Sequence, residues 1–287
     1  EQLQGCYTGI DFLSRLAGGE AIPIGRSAVI IGGGNTAIDC TRNLIRLGVK
    51  EVNLVYRRTR NEMPANPVEI EAAEAEGVKF QFLAAPVRVV GNEDGITTHL
   101  EYLKMELGEP DASGRRRPVP IEGSESIVET DMVITAIGQS PDISFIESMQ
   151  QQLAELKTTR WNTFEVDPAT LQSSIPYLFA AGDAATGPSL VVDAIGGGRR
   201  AARSIHQFVM GQPVVADPLE LQKDLISETL FAQVLGVVKT QRAPMPELPV
   251  AERIQSFVEA DQVLSEQAAL GESSRCLNCC LTCYNPD

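Results

Sequence analysis

The chain has 287 residues, 43% hydrophobic and 22% charged, and its Lys+Arg 24 against Asp+Glu 38 give a net charge of −14. The apolar share is ample for a core, and at roughly 150 residues per domain the length suits one large domain or two modest ones. So acidic a surface repels phosphate backbones and anionic lipid, which argues against nucleic acid and membranes as partners, and no apolar run approaches the ~20 residues that span a bilayer.

Residues 1–25 read as a lead segment: a short helix over Tyr7–Leu16, then a turn at Gly18, Gly19 and Pro23. From Ser27 the chain turns into a buried-strand run, Ala28–Ile31, cut off by Gly32, Gly33 and Gly34. A 3.6-residue apolar period from Asn35 to Leu47 predicts a helix that stops at Gly48. A second strand, Val52–Tyr56, ends in Arg57 and Arg58; Pro64 and Pro67 introduce a helix over 68–76, and Val78–Leu83 is a third strand. Strand–helix alternation with short connections predicts an α/β fold with a Rossmann-like parallel sheet.

Residues 86–134 break that rhythm. Val87–Val90, the turn Asn92–Gly95, and Ile96–Leu107 predict a hairpin, and a polar turn through Arg115–Arg117 leads to another short strand. This is an antiparallel meander over the sheet. Met132–Ile137 then returns as a core strand broken at Gly138, and Tyr177–Ala181 reads as one more buried strand ending at Gly182 and Asp183. After residue 211 the chain is Pro-rich and polar. The expected boundaries are a nucleotide domain over 26–140, part of a second Rossmann-like domain over 141–211, and a separable tail over 212–287.

Gly32-Gly33-Gly34-Asn35-Thr36-Ala37 fits G-x-G-x-x-A between a strand and a helix, the context that gives this motif meaning. Gly32 permits the tight turn, Gly34 lets backbone approach a pyrophosphate, and the helix N-terminus offers unpaired N–H groups to phosphate. The end of the second strand discriminates between cofactors. An NAD site carries a carboxylate there, about 20 residues after the glycines, whereas this chain has Arg57 and Arg58 about 25 residues on, with Arg60 behind them. A guanidinium can bind a 2′-phosphate that a carboxylate would repel, so NADP(H) is expected over NAD(H). The plainer alternative is a solvated basic loop.

A second match, Gly196-Gly197-Gly198-Arg199-Arg200-Ala201, follows Leu190–Ile195. As a second dinucleotide loop it would bury Asp193 in mid-strand. A helix from about Ser189 to Val209, interrupted at the glycines, is the preferred reading. Of the six cysteines, Cys276, Cys279, Cys280 and Cys283 crowd the C-terminus while Cys6 and Cys40 stand alone. Clustering of this kind suggests a metal site in a reducing compartment, with cytoplasm as the expected location. Four thiolates can hold a [4Fe–4S] cluster or zinc, and a tail of free thiols is the third option.

Together Ile31–Asp39, Val55–Arg60, Glu62–Ala65, Ala136–Asp142, Phe179–Asp183, Val192–Ala202 and the tail Arg275–Cys279 resemble the glutamate synthase small (beta) subunit family. The resemblance covers nearly the whole chain in order. It implies an NADPH-dependent FAD and iron–sulfur oxidoreductase in which an FAD domain is interrupted by the NADP domain and completed after it. By that resemblance Gly182 and Asp183 face the flavin's ribityl chain, Val191 and Val192 open a helix aimed at the flavin ring, and Gly138 and Gln139 line the space between nicotinamide and flavin. The glycine loop of the FAD domain has no match in residues 1–26, so the expectation is a piece of a longer protein with only part of an FAD site. The implied function is passage of a hydride from NADPH to FAD and of electrons onward to a partner subunit. The cofactors carry that chemistry, so no side chain is named as catalytic. The alternative is a non-catalytic nucleotide-binding or interaction module with a zinc-binding cysteine tail.

Overall fold

The computed structural model describes residues 2–110, 114–149, 153–216 and 241–274. These fall into two compact units, one formed by residues 2–137 with 241–274 and the other by 138–216.

The first unit is built on a five-stranded parallel sheet. Its strands are β1 (Cys6–Thr8), β2 (Ser27–Ile31), β3 (Glu51–Tyr56), β4 (Lys79–Phe82) and β9 (Met132–Thr135), in the order β1-β9-β2-β3-β4. Helices α1 (Gly9–Ala17), α2 (Asn35–Arg46) and α3 (Pro67–Ala75) connect them. The other strands, β5 (Ala84–Gly91), β6 (Thr97–Pro110), β7 (Arg116–Pro120) and β8 (Ser126–Glu129), form an antiparallel sheet in which β6 pairs with all three of the others.

Strand alternation divides the core into two layers. Ala28, Ile30, Val52, Leu54, Met132 and Ile134 face the helices and pack with Phe12, Ile38 and Leu44. Val29, Ile31, Val55 and Val133 face the other way and pack with Leu100 and Tyr102 of β6. Side chains alternate faces along a strand, so a sheet buried on both sides must be apolar at every position. That is why these strands read as continuous apolar runs. Each fully buried Ile or Leu here contributes about 1.5–3 kcal/mol.

Four expectations need correction. The lead segment is not merely a helix: Cys6–Thr8 is an edge strand, in parallel register with Val133–Thr135. Three residues are too few to show a period, so the strand is defined by its partner. Tyr177–Ala181 is not a strand. It makes one isolated bridge, Phe179 with Gln172, and Tyr177 is exposed. Short apolar runs of this kind do not by themselves distinguish a strand from a packed loop.

The second unit has two short helices, α4 (Phe145–Ser148) and α5 (Asp183–Thr186), and the glycines of the second motif lie inside one continuous helix, α6 (Val191–Val209), which removes the second dinucleotide loop and the expected interruption alike. At Gly197 a Cβ would stand 3.3 Å from both the Ala181 Cβ and the Gly182 N. Glycine there serves close packing. Finally, the described part of the tail joins the first unit. Arg253, at the end of α7 (Val250–Arg253), is 4% exposed and sits beside Glu76, so residues 241–274 are not a free appendage.

Candidate functional site: a dinucleotide cradle

The C-terminal ends of β2, β3 and β9 meet at one edge of the parallel sheet, where α/β folds of this type bind ligands. Gly32 leaves β2 with φ +147°, and a Cβ there would lie 2.3 Å from the Ala136 carbonyl oxygen. Only glycine fits that approach. At Gly33 a Cβ would meet the Tyr56 ring at 2.5 Å. Gly34 differs: no atom lies within 4 Å of its Cβ position. It is also the N-cap of α2, with no side-chain cap and no acidic residue in the first turn. Neither a side chain at Gly34 nor a first-turn carboxylate therefore competes for the α2 N-terminus, which suits an anion.

The loop after β3 closes back on these glycines. Ala65 N donates to the Gly33 carbonyl over 3.1 Å, and Asn66 N donates to Asn35 Oδ1 over 3.0 Å. The Tyr56 hydroxyl donates to the Glu62 carbonyl over 2.8 Å. The Glu62 carboxylate accepts from the Thr59 hydroxyl and backbone N–H in a capping box. Hydrogen bonding from Thr59 holds the Glu62 carboxyl below its usual range, with help from the nearby Arg116 charge. Thr36 is half-buried, its methyl 2.9 Å from the place a Cβ on Gly9 would take.

The arginines divide. Arg57 is exposed and, among the described residues, makes no ion pair. Arg58 is 5% exposed, and its Nε donates to the Arg116 carbonyl of β7 over 2.8 Å. Arg60 pairs with Glu74. The basic triplet thus presents one outward cation at the strand end, which sequence alone does not reveal.

In the second unit, Gly182 has φ +61° and Asp183 is exposed. A cleft of about 430 Å³ is lined by Gly182, Asp183, Ser189, Leu190, Val191 and Ala194. Val191 and Val192 open α6 with 75% and 67% of their surface exposed. Gln139 lines a separate pocket of about 400 Å³ with Pro141, Trp161 and Pro188, and Gly138 adjoins it in the chain. Cys276, Cys279, Cys280 and Cys283 lie outside the described residues. Among the described residues no group of His, Cys, Asp and Glu is placed to hold a metal.

A family model described as pyridine nucleotide-disulphide oxidoreductase matches residues 5–198. The chain belongs to that family. Among its relatives, the NADP(+)-dependent formate dehydrogenase subunit beta of Moorella thermoacetica is 39% identical over 89% of this chain and 36% of its own length. The NADPH-Fe(3+) oxidoreductase subunit beta of Geobacter sulfurreducens is 37% identical over 94% of this chain and 44% of its own. The glutamate synthase [NADPH] small chain of Azospirillum brasilense is 44% identical over 64% and 37%. The glutamate synthase small-chain resemblance therefore stands, and the chain spans less than half the length of these curated relatives.

The fold recurs in T. acidophilum thioredoxin reductase, with TM-score 0.53 and 21% identity over 72% of this chain and 58% of that one. It recurs also in Mycobacterium tuberculosis FprA in complex with NADPH, with TM-score 0.55 and 16% identity over 74% and 60%. As a member of the pyridine nucleotide-disulphide oxidoreductase family the chain has an unpromising thiol at Cys40. It is buried beneath α1, and burial pushes its pKa up to about 12. A thiol so buried and so seldom ionised is a poor nucleophile.

Proposed function

We propose that this chain is the NADPH-binding part of a flavin and iron–sulfur oxidoreductase, passing a hydride from NADPH to FAD and electrons onward, one at a time, to a partner subunit. The observation that carries this reading is the cradle itself. Gly34 leaves room above the α2 N-terminus, and Arg57 stands exposed at the strand end where an NAD site would carry a carboxylate.

The residues present fit NADP(H). When bound, NADP(H) supplies a hydride equivalent from its nicotinamide ring. The α2 amides hold the pyrophosphate, Gly32 and Gly33 bring backbone close, and Arg57 pairs with the 2′-phosphate. The second unit fits part of an FAD site: the Asp183 carboxylate can accept from a ribityl hydroxyl, Gly182 leaves room beside it, and α6 opens at Val191 and Val192 with no side-chain cap, its dipole favouring a reduced, anionic flavin to the extent that Asp193 in the first turn does not offset it. Cys276, Cys279, Cys280 and Cys283 are the proposed ligands of a [4Fe–4S] cluster.

The names of these relatives support an NADPH-linked role within multi-subunit enzymes. Cytoplasm remains the proposed compartment, and no helix among the described residues is long and apolar enough to cross a membrane. The test is metal analysis and a visible spectrum of the chain after anaerobic reconstitution with iron and sulfide. Brown absorbance that Cys276→Ser with Cys279→Ser abolishes is expected. A colourless zinc protein would contradict the reading.

A further inference from the structure

We propose that the β6–β7 hairpin completes the 2′-phosphate site, with Arg117 as its second cation and Arg58 as the positioning residue that holds the hairpin there. This deepens the reading of the site as an NADP(H) cradle and rests on it.

The strand-end sequence offers three arginines, yet two are committed. Arg60 is neutralised by Glu74 on α3. Arg58 is almost wholly buried, and a buried guanidinium donating to a main-chain carbonyl is a strut rather than a ligand. The carbonyl it holds is that of Arg116, the one joining Arg116 to Arg117. Arg58 thus binds the hairpin to the residue next to Arg57, from a part of the chain 58 residues away.

The hairpin brings its own run of cations, Arg115, Arg116 and Arg117, into a protein of net charge −14. Arg116 donates through its guanidinium to the carbonyls of Leu107 and Gly108 on β6, and its charge is felt by Glu62 in the loop after β3. Arg115 makes an interaction of its own. Arg117 is exposed and, among the described residues, has no hydrogen bond or ion pair. Arg57 and Arg117 are both exposed and, among the described residues, without a hydrogen bond or ion pair, and each is the chain neighbour of a residue in the Arg58–Arg116 hydrogen bond. A phosphate monoester carries close to two negative charges at neutral pH, enough to engage two guanidinium groups.

The experiment is calorimetric titration of the chain with 2′,5′-ADP and with 5′-AMP, which differ only by the 2′-phosphate. Arg117→Ala should weaken 2′,5′-ADP about tenfold, as expected for one lost charge-assisted hydrogen bond, and leave 5′-AMP unchanged; Arg117→Lys should recover part of that loss. Combining Arg58→Ala with Arg117→Ala should cost no more than Arg58→Ala alone, because the hairpin is already released. Unchanged 2′,5′-ADP binding in Arg117→Ala, alongside weakening in Arg57→Ala, would overturn this proposal and leave the NADP(H) reading intact. Equal affinity of the parent chain for both probes would overturn that reading itself. Arg117→Ala alone decides the matter where Arg58→Ala does not fold.

Discussion

The Ala65 N–H donates to the Gly33 carbonyl over 3.1 Å, and this bond ties the loop after β3 to the loop after β2. The two loops that the proposed NADP(H) site draws on are thus tied together. Substitutions along the glycine run should separate folding from binding. Gly33→Ala forces a Cβ against a Tyr56 ring whose hydroxyl is already held by Glu62, and should destabilise the chain by about 1–3 kcal/mol. Gly34→Ala meets nothing in the free chain and should leave the melting temperature unchanged, while on the proposed reading its methyl would take space the pyrophosphate needs and lower NADPH affinity more than tenfold. Thermal melts with and without NADPH check both.

The network around Glu76 should matter for stability. Its side chain is fully buried, hydrogen-bonded by Arg42 at 2.8 Å and Arg46 at 3.3 Å, while Arg253 Nε lies 3.0 Å away as an ion pair not aligned for a hydrogen bond. Removing the carboxylate leaves buried guanidinium groups facing one another. Glu76→Ala should cost about 3–5 kcal/mol in urea unfolding. Arg253→Ala should cost less, since Glu76 keeps two partners, and should loosen residues 241–274 in hydrogen exchange. No change in either would show that the segment is not anchored there.

Cys40 gives a pH dependence with a definite sign. Its folded pKa, about 12, is above the ordinary thiol value of 9.0, so between those values the unfolded chain gives up a proton that the native chain keeps. Stability should fall as pH rises from 9 towards 12 and be unaffected by this group below 9. Thiol titration at pH 8 should leave Cys40 unmodified until the chain is unfolded. Rapid native-state labelling of Cys40 would contradict its burial.

Much of this was legible. β2, the glycine loop, α2 and β3 follow from an apolar run, a glycine triplet and a 3.6-residue period, because each is a local cause with a local effect. What sequence could not show is non-local. β1 exists through its pairing with β9. The fate of Arg58 depends on a carbonyl on a distant hairpin, and Arg253 becomes a core residue only beside Glu76. The glycines of α6 look like a loop because their reason, contact with Ala181 and Gly182, lies outside their own segment.

The most direct test of the account is calorimetric titration of the chain with NADPH and NADH, before and after Arg57→Ala. The parent should bind NADPH the more tightly, and the variant should lose most of that preference, a change worth about 1.5–3 kcal/mol for a charge-assisted hydrogen bond. Equal affinity of the parent chain for the two dinucleotides would contradict it.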